Sequence, residues 1–487
     1  MKKNILIFII SFLVILFFST STSPLFVNYY EDDSSIFILM GKAALEGKIL
    51  YKDIFDHKGP ILFWIQALGQ LISEGRNGIF LIQIISLTIT NILWYKIANY
   101  FCSSKHSIYA ILVATSFWMV FFEEGNLSEE LSLPFLSLCL FLTIKWIHDK
   151  ERFKSQKIFK ISFIYGICFG IISLIRLNNT AMLCGLILGI SIIFIKNKEV
   201  KKLIQCSLCF LGAIALVYIP VIVYFISKDA LYDMFYGTFI HNFKYLNTES
   251  SLILKICYHL HMPILIGITY KKINQNRDLN LLMLVTVIAT YIIVLLGPGL
   301  THYYTLTIPL IVFYIANFFK VCEENFEKKD RNFIYIILAI VCIIYSIVNI
   351  MESVSYLINQ KKVTVYNAKE IIEVIPEEER DEVCIYNNPL AASICLYGDI
   401  IPQNKYVFFT KKIHRVNPEL YDDIYDEICN ENTKWIISTD VSKNSNKDSI
   451  DEYIIKNYNV EKNMVVKRHD VTGLVDVEIF LYKKLDK

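Results

Sequence analysis

The sequence predicts a polytopic α-helical membrane protein with a small C-terminal α/β or α+β domain outside the membrane. Three properties point there. Of 487 residues, 54% are hydrophobic and only 19% charged, with a mean hydropathy of +0.45; a soluble domain carries about 45–50% apolar and about 25% charged residues. Long apolar runs recur from the N-terminus to about residue 350, and a helix needs about 20 such residues to cross a hydrocarbon core of about 30 Å. Lys and Arg gather in alternate loops between those runs, the signature of a fixed membrane orientation. The same composition excludes disordered, collagen-like and coiled-coil classes. With 48 Lys+Arg against 46 Asp+Glu the net charge is +2. That balance offers no clustered basic face, so the expected environment is a lipid bilayer and no nucleic-acid partner is expected.

Apolar runs predict spans near 4–27, 78–101, 107–122, 131–148, 160–176, 180–196, 203–227, 256–270, 279–297, 303–320 and 332–350. Lys2 and Lys3 place the N-terminus in the cytoplasm. Alternate loops then fall on the same side, and the richest of them holds Lys145, Lys150, Arg152, Lys154, Lys157 and Lys160. Eleven spans set the C-terminus outside a cytoplasmic membrane. The first run also has a signal-peptide look, with small residues at Ser19–Ser23; a retained helix is the favoured reading.

Residues 28–77 form the longest extracytoplasmic loop. Within it, 34–46 has helical apolar spacing stopped by Gly47, and 60–73 opens on Pro60 at a helical N-terminus. Both are too short to span and read as helices at the outer surface, roofing a cavity. Beyond residue 354 charge becomes frequent. β-like runs at 383–386, 405–409, 434–438 and 477–482 alternate with helix-like stretches at 367–374, 417–430 and 448–457. The expected division is thus a membrane domain over 1–354 and a soluble domain over 355–487. Of twelve cysteines most lie in apolar runs, where they act as small hydrophobes. No zinc spacing is present. Cys384, Cys395 and Cys429 allow at most one bridge in the tail.

The unusual polar residues cluster at the outer ends of the spans: Glu31-Asp32-Asp33, then Asp53 to Pro60, then Glu123, Glu124, Glu129 and Glu130, then Arg176 with Asn178 and Asn179, then His302, Tyr303 and Tyr304. Midplane carboxylates, expected of an ion-coupled transporter, are few. Carboxylates and cations on one membrane face suit a reaction at a lipid-linked phosphate. A cation stabilises the departing phosphate, and a carboxylate takes the acceptor proton.

The stretch Asp33 to Pro60 resembles the first outer loop of GT-C-type glycosyltransferases, a group that includes protein O-mannosyltransferases and the aminoarabinose transferase of lipid A. The matching residues are Asp33, Gly47, Tyr51, Asp53, Lys58, Gly59 and Pro60. The run Asn126-Leu127-Ser128-Glu129-Glu130-Leu131 is similar to that family's second loop, and His302-Tyr303-Tyr304 before Pro309 to a later motif. One departure is that many members carry Asp-Glu where this chain has Asp33-Ser34. Spacing favours Asp33 as the match, with Asp32 as the alternative.

The resemblance implies a hexosyl or pentosyl transferase using a sugar on a polyprenyl phosphate (undecaprenyl phosphate in a bacterium), with inversion at the anomeric carbon. The acceptor would be an envelope glycan, glycolipid or protein. Asp33 would be the base. Lys58 and Arg176 would hold the lipid phosphate, and Asp56, His57, Glu129, Glu130, His302 and Tyr303 would line the site. No metal or other cofactor is expected. Plainer readings compete: Asp33 as a helix N-cap, Lys58 and Arg176 as snorkelling cations, Asp56 and His57 as loop-stabilising groups, Glu129 and Glu130 as helix-start acids, and His302 and Tyr303 as interfacial belt residues. A carrier or flippase of lipid-linked sugars, or a non-catalytic envelope assembly protein, stay open as alternatives.

Overall fold

The computed structural model describes residues 2–27, 33–244, 261–296, 300–408, 420–430, 433–443, 448–470 and 473–485. Asp32 and residues 256–260 of the 256–270 run lie outside the described residues. The membrane part holds helices α1 (Lys2–Phe18), α2 (Asp33–Leu45), α3 (Pro60–Ile72), α4 (Asn77–Ala98), α5 (Ser104–Met119), α6 (Ser128–His148), α7 (Ser155–Ile175), α8 (Ala181–Lys196), α9 (Val200–Ser227), α10 (His261–Ile273), α11 (Arg277–Leu296), α12 (Ile308–Asn325) and α13 (Lys328–Asn359).

Among the described residues eight helices are long and apolar enough to cross a membrane, so the chain is a multi-pass membrane protein. They coincide with eight of the predicted spans. The other three predicted segments are shorter helices: 17 residues in α1, 16 in α5 and 13 in α10. The helix α1 stops at Phe18 because the following hydroxyl residues find partners outside a helix. Ser21 donates to the Glu124 carbonyl at 2.9 Å, and Thr22 bonds Gln83 of α4. The stretch Ser19–Ser23 is therefore a buried turn packed on α4.

Both short loop helices form where their patterns predict. They cross closely: a Cβ on Gly41 would lie 2.6 Å from the Gln66 Cβ. The surroundings of α2 differ from the expected surface position, whereas α3 keeps Leu68, Leu71 and Ile72 exposed. Every residue from Ser34 to Gly41 is buried, because one apolar cluster joins Ile36, Phe37 and Leu39 of α2 to Val365, Ile371 and Ile394 of the tail. A helix apolar on all sides is stable only when covered on all sides.

The tail builds a four-stranded sheet from β1 (Val383–Ile385), β2 (Trp435–Ser438), β3 (Tyr458–Asp470) and β4 (Gly473–Lys484), in the order β1-β2-β4-β3. Strands β1 and β2 are parallel, and the other pairs are antiparallel. Three predicted strands are present. The fourth, 405–409, is not a strand over its described residues. The N–H groups of Lys405 and Tyr406 donate to Glu427 Oε2 (3.1 and 3.4 Å), and the Lys405 carbonyl accepts from Phe55 N. Side-chain and loop partners thus replace a ladder. The long β3 went unpredicted because its partner strand among the described residues is β4, in a half-exposed hairpin, so polar and charged residues interrupt its few apolar ones. Among the described residues Cys384, Cys395 and Cys429 form no disulfide.

Candidate active site

The motif residues of the first loop divide into those that shape its backbone and those whose side chains meet other polar groups. Gly47 ends α2 with φ +94°, a conformation that costs glycine little. Asp53 Oδ2 accepts from Ile49 N at 2.7 Å, closing a tight turn. Tyr51, itself at φ +69°, donates its hydroxyl to the Lys58 carbonyl at 2.7 Å. Gly59 N donates to Ile175 O at 2.9 Å, and a Cβ on Gly59 would sit 2.0 Å from Leu174 O. Only glycine lets the loop press against the end of α7. That contact brings Lys58 beside the turn carrying Arg176.

Four predicted residues meet there. Lys58 Nζ lies 3.2 Å from Asp33 Oδ1 and 3.7 Å from Asp56 Oδ2, and 5.0 Å from the Phe37 ring centroid. Its side chain is 3% exposed, whereas Asp33 keeps 28%. His57 Nδ1 lies 3.1 Å from Asp56 Oδ1. Asn242 donates to the His57 carbonyl at 2.8 Å, fixing the loop from a distant part of the chain.

A second group centres on Arg176, the residue that caps α7. Its Nη1 donates to Glu129 Oε1 at 2.9 Å, and its Nη2 to the Tyr303 hydroxyl. Its guanidinium also stacks on Tyr303, 4.5 Å from the ring centroid. His302 packs edge-on to Tyr303 and places Nδ1 3.0 Å from Glu123 Oε2. Among the described residues Arg176 Nε, His302 Nε2 and Asp56 Oδ2 are buried without a hydrogen-bond partner. Such groups are costly unless a ligand or water completes them.

The structure separates two acids that the sequence left interchangeable. Glu129 pairs with Arg176. Glu130 instead accepts from Gln83 Nε2 (3.1 Å) and from Asn126 N (2.9 Å), and Asn126 in turn donates to Ser34 Oγ at 3.0 Å, next to Asp33. Two participants lay outside the predicted set: Glu123, which engages His302 and Thr301, and Asn126. The density of acids on a loop of this length is the signal that pointed to Glu123. Asn126 opens the second-loop motif, but nothing in the sequence assigned it a role in the site.

Electrostatics fix the protonation states. Burial pushes the Asp33 carboxyl up, but Lys58, His302 and Arg176 more than offset this and hold it below its ordinary value. Asp56 is likewise desolvated, yet Lys58 and His57 pull it far down. His57 is lowered by burial and then by Lys58. Asp33 and Asp56 are therefore carboxylates at neutral pH, with Lys58 between them. Glu124 behaves oppositely: burial and then the adjacent Glu123 push it up. Among the described residues no group of three or more His, Cys, Asp or Glu is placed to hold a metal ion.

A family model for the competence-induced Ccs4 N-terminal domain matches residues 1–332. Among solved structures, ArnT from Cupriavidus metallidurans in the apo state is similar at a TM-score of 0.66 and 11% identity, over 99% of this chain and 98% of that one. The Archaeoglobus fulgidus oligosaccharyltransferase, in complex with Zn and sulfate, is similar at a TM-score of 0.53 and 11% identity, over 97% of this chain and 73% of that one. Both are GT-C glycosyltransferases, and the likeness establishes a GT-C fold. At the level of sequence no curated protein matches.

Proposed function

The chain belongs to the competence-induced Ccs4 N-terminal domain family, and we propose that it is a membrane glycosyltransferase taking its sugar from a polyprenyl phosphate. Transfer runs at the outer face of the cytoplasmic membrane, with the N-terminus inside and residues 355–487 outside. The acceptor is an envelope glycan, a glycolipid or a protein. The observation that carries this reading is the pairing of a part-exposed carboxylate, Asp33, with a buried cation, Lys58, at 3.2 Å, on a GT-C fold.

Chemistry follows from that pair. Asp33 takes the proton from an acceptor hydroxyl. The hydroxyl oxygen forms a bond to the anomeric carbon as the bond from that carbon to the phosphate oxygen breaks, inverting the centre. Polyprenyl phosphate leaves with the electron pair. Lys58 and Arg176 stabilise its charge, the electrostatic role expected of desolvated cations. The unpaired Arg176 Nε and His302 Nε2 suit further contacts to donor oxygens. Donor binding also prepares the base: a phosphate beside Lys58 weakens the hold of that cation on Asp33 and raises the carboxylate's affinity for a proton. Glu129 holds Arg176, and Glu130 with Asn126 braces the start of α2.

The test is a transfer assay on the purified full chain with a panel of polyprenyl-phosphate sugars and envelope acceptors. Release of free polyprenyl phosphate by wild type but not by Asp33→Asn is expected. Equal release by both would remove Asp33 as base and move attention to Asp32. Tight donor binding without release, across all acceptors, would overturn the transferase reading in favour of a carrier.

A further inference from the structure

The ends of α5 and α13 remote from Asp33 frame a second site. A cleft of about 780 Å³ opens there between α5, α12 and α13. Its mouth carries Lys105, Lys328 and Arg331. Among the described residues none of these three has a carboxylate within ion-pair distance. The one acid lining the cleft, Glu323, is taken by His106, whose Nδ1 lies 2.5 Å from Glu323 Oε1. His106 is itself fixed by stacking on Phe319 at 5.2 Å. With three cations against one lining acid the mouth keeps a net positive charge, and Arg331 Nη1 also donates to the Glu323 carbonyl at 3.2 Å. Below it the walls become apolar: Leu112, Ile336 and Ile343 line the trough and stay exposed.

We infer that this cleft binds an anionic phospholipid in the leaflet opposite the transfer site. The phosphate would meet Lys105, Lys328 and Arg331, and an acyl chain would lie along Leu112, Ile336 and Ile343. Charge complementarity selects the head, since basic pockets between membrane helices attract anionic headgroups. The trough selects a lipid over a free anion, because a bare phosphate leaves the apolar walls uncovered. The cleft shares no residue with the Asp33 cluster, so the inference stands apart from the transfer reaction.

Native mass spectrometry of the full chain in detergent tests it, with phosphatidylglycerol and phosphatidylcholine as probes. Wild type should retain phosphatidylglycerol over phosphatidylcholine by about tenfold or more, the scale of one to two surface cations. The variant Lys105→Gln/Lys328→Gln/Arg331→Gln should lose the preference while its thermal unfolding in lipid-free detergent stays that of wild type. Ile336→Trp, which fills the trough, should weaken retention of both lipids. Equal retention of the two lipids by wild type overturns the site. So does wild-type retention by both variants. Displacement of the lipid by millimolar inorganic phosphate would make it a free-anion site, and stronger binding of polyprenyl phosphate than of phosphatidylglycerol would make it a substrate site; either result overturns the assignment. Should the triple variant fail to fold, the wild-type lipid comparison and Ile336→Trp decide alone.

Discussion

Asp33 and Lys58 are each informative only through the other. A carboxylate at the start of a helix is an ordinary cap, and a lysine near a membrane surface ordinarily snorkels. Here Lys58 is 3% exposed and points at two carboxylates, a position that a snorkelling side chain does not take. Asp33→Asn should lower kcat by roughly 10²–10⁴-fold, the usual worth of a general base, with donor binding retained; comparing turnover with donor affinity checks this. Lys58→Gln should act differently. With its chief cation gone, burial pushes Asp33 up, so the acid limb of the pH–rate profile should move to higher pH in this variant. An unmoved limb would sink the coupling. Glu124 gives a stability test. Its folded proton affinity is raised above the ordinary glutamate value of 4.5, so the folded state holds a proton that the unfolded chain has released. Its contribution to stability is present at low pH and is lost as pH rises from 4.5 through the raised value. Glu124→Gln should flatten that slope in thermal unfolding measured across pH.

Elements explain why the site forms at all. The loop from Gly47 to Pro60 is a folded object whose Tyr51, Asp53 and Gly59 build no chemistry but aim Asp56, His57 and Lys58. Gly59→Ala should be severe, because its Cβ would meet backbone at 2.0 Å and backbone at the end of α7 has nowhere to move. Gly212→Ala, inside α9 with nothing within 4 Å of its Cβ, should be neutral or stabilising by about 0.5–1 kcal/mol. Thermal unfolding of the two variants side by side separates a positional glycine from an incidental one. Equal behaviour would refute the close-approach argument. Both α2 and α3 were legible because their apolar spacing and their Gly47 and Pro60 boundaries are local. The strand β3 was not, because its pairing with β4 outweighs its weak propensity.

Across the whole molecule, the tail is bound to the membrane part rather than appended to it. It covers α2 through a shared apolar cluster. Phe55 N donates to Lys405 O at 3.0 Å, one residue before Asp56, and Lys405 Nζ reaches Asp233 at 3.1 Å. A chain ending at residue 362 should expose Ile36, Phe37 and Leu39 and lose its monodisperse form. Size-exclusion chromatography in detergent reads this directly; a monodisperse truncation with wild-type turnover would show that the tail supports neither α2 nor the loop. Composition had marked the tail as a different environment, but not that its core continues into the first loop.

The sequence by itself determined the class and the parts. Apolar run length, loop charge and the Asp33-to-Pro60 spacing are properties of neighbouring residues, and burial free energy along a helix or span sums over such neighbours. Those parts include both short loop helices, three of the four predicted strands and the cluster from Asp56 to Lys58. Only the tertiary structure decided the partners. Glu129 rather than Glu130 pairs with Arg176, 47 residues away; Glu123 rather than Glu124 meets His302, 179 residues away; and Asn126 reaches Ser34. Charge interactions fall off with distance in space. Adjacent acids of one composition therefore acquire different partners and different roles only once the helices that carry those partners have packed.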